Sequence, residues 1–204
     1  AYMSLFRKLF PANRPSEPVS YQAQFSDALK RTKQLGLELP HFTPTPKRYL
    51  SGENAADIGR CWIDTFPNER PEAFAGKCFQ ATGAIQAPLE DLLGIPLYFT
   101  LGWVQFEGRP VFHTPTDKLK PMLKQNLSFQ QVNLHAWLTL PSHEIIDLTF
   151  LTTVGVVNNV PDFIGRACVS HPDDLPEAII YHPQLVGGDF LKKTGVLLEA
   201  RVFL

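Results

Sequence analysis

An α+β fold with a helix packed on an antiparallel sheet is what this sequence predicts, and three observations carry the prediction. From Cys78 to Leu93, apolar residues (Phe79, Ala81, Ile85, Leu89, Leu92, Leu93) recur at helical spacing. After Pro96 come short aromatic and apolar runs bounded by turn residues: Leu97 to Val104, Val132 to Leu140 and Glu144 to Phe150. The helical pattern precedes these runs and does not alternate with them, which favours an antiparallel sheet over a parallel βαβ one. The 204 residues are 44% hydrophobic, enough for one sizeable core. Eighteen Pro and 13 Gly, with 19% charged residues, favour many turns and short elements. Fifteen Phe, 5 Tyr and 3 Trp exclude a disordered chain.

Along the chain, residues 1–20 read as an N-terminal extension with a Pro-rich linker, and residues 21–204 as a single domain. The opening AYMSLFRKLF is too broken for a secretory h-region, and no run reaches the roughly 18 apolar residues of a membrane span. The expectation is synthesis in the cytoplasm with no signal peptide and no stable membrane insertion, with specialised export left open. Pro11, Pro15 and Pro18 make the linker. Phe25, Ala28, Leu29 and Leu35 then space as one helix face ending at Gly36. A second helix has Ser51 or Asn54 as its N-cap and Ile58, Cys61 and Trp62 on its apolar face, closed by Phe66-Pro67. The helix beginning near Cys78 is stopped by Gly94 and Pro96, and Pro88 predicts a kink or a fresh start within it. Val111-Phe112 pairs with the first strand across Glu107-Gly108, and Pro141-Ser142 joins the next two strands, leaving His143 at an exposed turn. Leu151 to Val160 is an apolar run without a clear period. Ala178 to Tyr181 and Val196 to Phe203 are further strands.

Charge and cysteine usage narrow the chemistry. Nineteen Lys plus Arg against 20 Asp plus Glu give a net charge of −1, without the basic excess that nucleic-acid binding favours. Three cysteines, Cys61, Cys78 and Cys168, form neither a disulfide framework nor a CxxC knuckle. Cys78 is the chemically interesting one. A helix N-terminus and a neighbouring imidazole both favour thiolate, and Cys78 sits where the first is available. His135, mid-strand in Asn133-Leu134-His135-Ala136-Trp137, is the best supplier of the second. Asp147 on the following strand comes nearly opposite His135 if the hairpin pairs around Pro141-Ser142, where a carboxylate can orient the ring. A zinc site from His113, His135, His143 and Asp147 is disfavoured by spacing and by the lack of HExxH, so no metal is expected.

These pieces in order, Gly76-Lys77-Cys78, a helix, Leu93-Gly94-Ile95-Pro96, a strand ending Gly102-Trp103, His135-Ala136-Trp137 and Asp147-Leu148-Thr149, resemble the core of the transglutaminase-like superfamily. The resemblance covers residues 76–150. It implies a papain-like fold and a Cys-His-Asp triad that forms a thioester with an amide, then passes the acyl group to water or an amine. By position the roles fall on Cys78, His135 and Asp147, with no cofactor. The implied partners are protein, peptide or peptidoglycan amides. Cysteine protease, amidase, deamidase and transglutaminase chemistries share this cycle. A catalytically inactive binding module and an exported effector toxin are the alternatives. For the oxyanion, the Cys78 N–H is one donor, with Gln80, Trp62, Trp103 or Gln131 as second candidates.

Overall fold

The structure is a computed structural model that describes residues 19–128 and 131–196. Helix α1, Tyr21–Gln34, starts where the Ser20 hydroxyl accepts from the Ala23 N–H, and it buries Tyr21, Phe25, Ala28 and Thr32. Helix α2, Gly52–Thr65, opens with a reciprocal Ser51/Asn54 capping box. Helix α3, Cys78–Leu93, ends at Gly94, which takes the left-handed conformation a helix C-terminus often needs. Pro88 lies inside α3, so the fresh start that was one of its two expected effects does not occur. Ile85 and Leu89, each 2% exposed or less, flank it and keep that stretch packed on the sheet.

Strands β1 (Tyr98–Phe106) and β2 (Arg109–Val111) form the expected hairpin, with Glu107 and Gly108 both at positive φ as a two-residue turn requires. A short helix α4, Thr116–Met122, precedes β3, His135–Thr139. The latter pairs with β4, Ile145–Asp147. The expected strand through Phe150 stops at Asp147, because the Asp147 carboxylate accepts from the N–H groups of Thr149 and Phe150 and turns the chain into helix α5, Phe150–Val157. Strand β5 (Cys168–Ser170) extends the sheet beyond β4. Strand β6, Ile179–Val186, is longer than Ala178 to Tyr181, since Pro183 falls at a register shift against β1 where the ladder is already interrupted. Helix α6, Asp189–Lys193, follows. The strand expected from Val196 lies outside the described residues except for Val196 itself, as do residues 1–18 of the N-terminal extension.

The fold class is α+β. All pairings are antiparallel, in the order β6-β1-β3-β4-β5, with β2 alongside the far half of β1. One sheet face, with Leu101, Ala136 and Leu138, packs on α3 and then α2; the other, with Trp137 and Tyr181, packs on α1 and on Phe150 and Val154 of α5. Helix α1 also covers the outer edge of β6: Thr32 Oγ1 accepts from the Val186 N–H at 2.9 Å and Arg31 donates to the Gln184 carbonyl at 2.8 Å. The β3–β4 turn is not exposed. His143 packs against Phe25 and Phe42, and the buried Glu144 carboxylate accepts from the N–H groups of Tyr49 and Leu50 and from the Ser142 hydroxyl.

Candidate active site

The hairpin register sets the relation between His135 and Asp147. Leu138 faces Ile146 and Thr139 faces Ile145, so Asp147 lies across from Trp137 and His135 is its diagonal neighbour, one residue pair further along the same face. An imidazole is long enough to span that diagonal. His135 Nε2 lies 2.6 Å from Asp147 Oδ2, with both side chains fully buried.

Asp147 is held by more than the ring. Tyr181 donates its hydroxyl to Oδ2 at 2.9 Å from β6, while Oδ1 accepts from the Thr149 and Phe150 N–H groups at 3.0 Å each and from Thr149 Oγ1 at 3.3 Å. One carboxylate oxygen therefore starts α5 while the other fixes His135. Burial by itself would raise the Asp147 pKa. The His135 charge and hydrogen bond, then the Thr149 N–H and Tyr181 hydroxyl, outweigh it and hold the carboxyl below its ordinary range. For His135, burial would lower the pKa, but Asp147 and then Cys78 overcome it and lift the value to about 10. The pair is thus a buried imidazolium and carboxylate at neutral pH.

The His135 ring sits among aromatics. Phe112 stacks over it at 5.4 Å and 20°, and Phe150 meets it edge-on at 5.4 Å. Phe112 leaves β2 with φ 57, a left-handed conformation unusual for a bulky residue. Gly102, the partner of His135 on β1, has no room for a side chain, because a Cβ there would meet the His182 carbonyl at 2.1 Å and the Trp137 ring at 2.7 Å. That absence lets Trp137 lie flat beside the site.

Cys78 is the first residue of α3, and its N-cap, Lys77, supplies no side-chain cap to the helix. The preceding Gly76, at φ 73, donates its N–H to Thr153 Oγ1 at 3.1 Å, and that hydroxyl donates to the Thr149 carbonyl at 2.9 Å. The cysteine loop is thereby tied to the start of α5, and through it to Asp147. Cys78 is 6% exposed and His135 0%. Cys78 is among the causes that raise the His135 pKa, while His135 Nδ1 is buried without a hydrogen-bond partner. The structure thus joins His135 to Asp147 through Nε2, leaves Nδ1 unpartnered, and places Cys78 near enough for its charge to act on the ring.

The other sequence candidates lie differently. Gln80 lies in the first turn of α3, half-buried, and its Oε1 has no partner. Gln131 is exposed, its Oε1 accepting from the Ser128 N–H and hydroxyl. Trp103 points to the sheet face opposite His135, stacked on His182 at 3.9 Å and meeting His113 edge-on. Trp62 joins an aromatic cluster with Phe66 and Phe74. His113 and His143 thus have surroundings of their own, and among the described residues no group of three or more His, Cys, Asp or Glu is placed to hold a metal. Cys168 stands across from Asp147 on β5, and burial followed by the Asp147 charge pushes its thiol up to about 12. Sequence reading missed Tyr181 and Phe112. Thr149 was present only as part of the Asp-x-Thr motif. No family model, curated protein or solved structure matches this chain.

Proposed function

We propose that this protein is a thiol-dependent acyl-transfer enzyme of papain-like, transglutaminase-like type that cleaves amide bonds through Cys78, His135 and Asp147. The observation that carries the reading is the fully buried His135, bonded through Nε2 to Asp147 at 2.6 Å with Nδ1 unpartnered, and with Cys78, at a helix N-terminus, among the groups that raise its pKa.

In the proposed cycle the Cys78 sulfur attacks the amide carbonyl and the C=O electrons move to oxygen. The Cys78 N–H, at the uncapped start of α3, is a donor to that oxyanion. As the intermediate collapses, the C–N bond breaks and His135 Nδ1–H protonates the departing amine, leaving a thioester. Water or a second amine then adds, His135 takes its proton, and the C–S bond breaks to regenerate the thiolate. Asp147 and Tyr181 keep the ring in the tautomer that both proton transfers need. Substrates are protein, peptide or peptidoglycan amides.

The enclosure of the site, with Phe112 over His135, favours a second reading as a binding module that keeps the fold without turnover. Iodoacetamide labelling resolved by residue separates the two. The first reading expects Cys78 to be labelled at pH 6 well ahead of Cys61 and Cys168, both raised by burial, and the rate to fall at least about tenfold in His135→Ala. Labelling of Cys78 only on unfolding would remove the catalytic assignment. Active protein would next be screened for mass changes on glutamine peptides and peptidoglycan fragments.

A further inference from the structure

The cycle proposed above needs an amide carbonyl against the Cys78 sulfur and the departing nitrogen at His135 Nδ1. Neither place is open. Cys78 is 6% exposed, His135 is 0% exposed, and Nδ1 is buried. A side chain has to move before an amide can enter.

Among the described residues, three aromatic rings close on the His135 imidazole: Trp137 at 6.1 Å, Phe150 edge-on at 5.4 Å and Phe112 stacked at 5.4 Å. Two of them are fixed in the core. Trp137 is 0% exposed and donates its indole N–H to the Tyr21 hydroxyl at 2.8 Å. Phe150 is also 0% exposed, lies at the start of α5 and packs on Phe106 and Tyr181. Phe112 is the exception. It is half-buried, so part of its surface already meets water, and it follows the exposed Arg109 and Pro110 of β2.

The backbone is tied on both sides of Phe112. Val111 pairs with Val104 of β1, the His113 carbonyl accepts from the Asn133 side-chain amide at 3.1 Å, and the Thr114 hydroxyl donates to the Asn133 carbonyl at 2.8 Å. Between these ties Phe112 is held at φ 57. The loop is therefore anchored, and the part free to move is the ring, about its own side-chain torsions. We infer that the Phe112 ring is the gate of the proposed site: lying on His135 it closes the site, and swung into solvent it admits an amide to Cys78 and Nδ1. The inference rests on the catalytic reading of Cys78 and His135.

The test compares two uncharged thiol reagents, iodoacetamide and the bulky pyrene iodoacetamide, on the full chain. Rates at Cys78 are divided by those at the partly buried Cys61 in the same molecule. Phe112→Gly removes the ring and suits the positive φ, which glycine adopts freely. In the wild type the normalised pyrene rate at Cys78 should be at least about tenfold below the iodoacetamide rate, and Phe112→Gly should bring the two within about threefold. Phe112→Leu, which keeps an apolar side chain beside Phe150, should also narrow the gap and serves where the Gly variant fails to fold. Equal normalised rates in the wild type, or a gap that persists in the folded variants, would overturn the inference. A wild-type Cys78 that neither reagent reaches would overturn it too, since a gate has to open. The catalytic reading is judged separately, from the iodoacetamide rate against pH in Phe112→Gly: a Cys78 there that reacts only as Cys61 does ends that reading whatever the size comparison shows.

Discussion

Replacing Asp147 with Asn is the sharpest perturbation of the site, because it changes one atom and its charge while keeping the shape. Oδ1 accepts from three donors on Thr149 and Phe150, so the Asn oxygen must stay there and its NH₂ must take the place of Oδ2. That NH₂ then faces His135 Nε2 and the Tyr181 hydroxyl, both of which donate to Oδ2 in the native protein. Nε2 can accommodate it only by giving up its proton, which forces the proton onto Nδ1 and leaves the imidazole neutral. The base facing Cys78 is lost. With the carboxylate gone, burial, the largest single influence on His135, is opposed only by Cys78, so the pKa falls from about 10. A rise from 6.5 to about 10 corresponds to roughly 5 kcal/mol, and breaking a buried pair costs about 3–5 kcal/mol. For a chain of this size that lowers Tm by about 10 °C at pH 7. Cys78 alkylation at pH 7 should fall by about two to four orders of magnitude, as expected of a wrong tautomer. Urea unfolding, imidazole ¹⁵N shifts against pH and the alkylation rate check the three parts. An Asn variant whose His135 still titrates above pH 8, with alkylation within twofold of wild type, would refute the reasoning.

Stability should also depend on pH with a definite sign. The folded pKa of His135 lies above its ordinary 6.5, so its contribution is complete below pH 6.5 and is lost as pH rises through about 10. That of Asp147 is depressed, so its share is complete above its ordinary value of 3.8 and lost as pH falls. The urea midpoint of the wild type should therefore drop between pH 7 and 10, and that of Asp147→Asn should drop less. Gly102→Ala places a Cβ against the His182 backbone carbonyl and the Trp137 ring, so it should destabilise by about 2 kcal/mol or more in urea and perturb Trp137 fluorescence. Glu144→Ala leaves the Tyr49 and Leu50 N–H groups and the Ser142 hydroxyl unpaired, a loss of about 3 kcal/mol. Alkylation of the folded Glu144→Ala variant should match wild type, because Glu144 acts at the far end of the hairpin.

Local chemistry was readable in the sequence; contacts made by distant returns of the chain were not. Ser51 with Asn54, Gly94 after a helical period, and Glu107-Gly108 between strands each specify a cap or a turn within a few residues, and each appears. His135 and Asp147 fall on one hairpin because their spacing is local, and they are nearly opposite, diagonal neighbours on one face. Tyr181 and Phe112 gave no comparable signal. Tyr181 reaches Asp147 only because β6 returns to pair with β1. Phe112 covers His135 only because β2 occupies the lane beside β3 and the chain leaves it at positive φ. Helix α5 was hidden because Phe150 to Val157 is rich in β-branched residues, and its start is set by the Asp147 carboxylate rather than by propensity. His143 looked like an exposed turn residue because the cover over it, Phe25 and Phe42, lies about a hundred residues earlier.

The energetics of this corner of the fold are themselves an argument about its use. A buried imidazolium and carboxylate are, as a rule, no more stabilising than a well-packed apolar pair of the same volume, and they require every lone pair to be matched. Here five donors converge on Asp147, and Phe112 adopts a left-handed backbone, a conformation that costs on the order of 1–3 kcal/mol, where its ring shields His135. Packing alone would be served by Leu and Phe at these positions. A fixed ring tautomer, a low-dielectric surround and a sulfur at a helix N-terminus are what proton transfer to and from Nδ1 requires. The tie from Gly76 through Thr153 to Thr149 adds to this, since it holds the cysteine loop in register with the carboxylate that orients the base. The chemistry proposed at Cys78 would use this concentration of strain and charge on one imidazole, which stability of the sheet does not require.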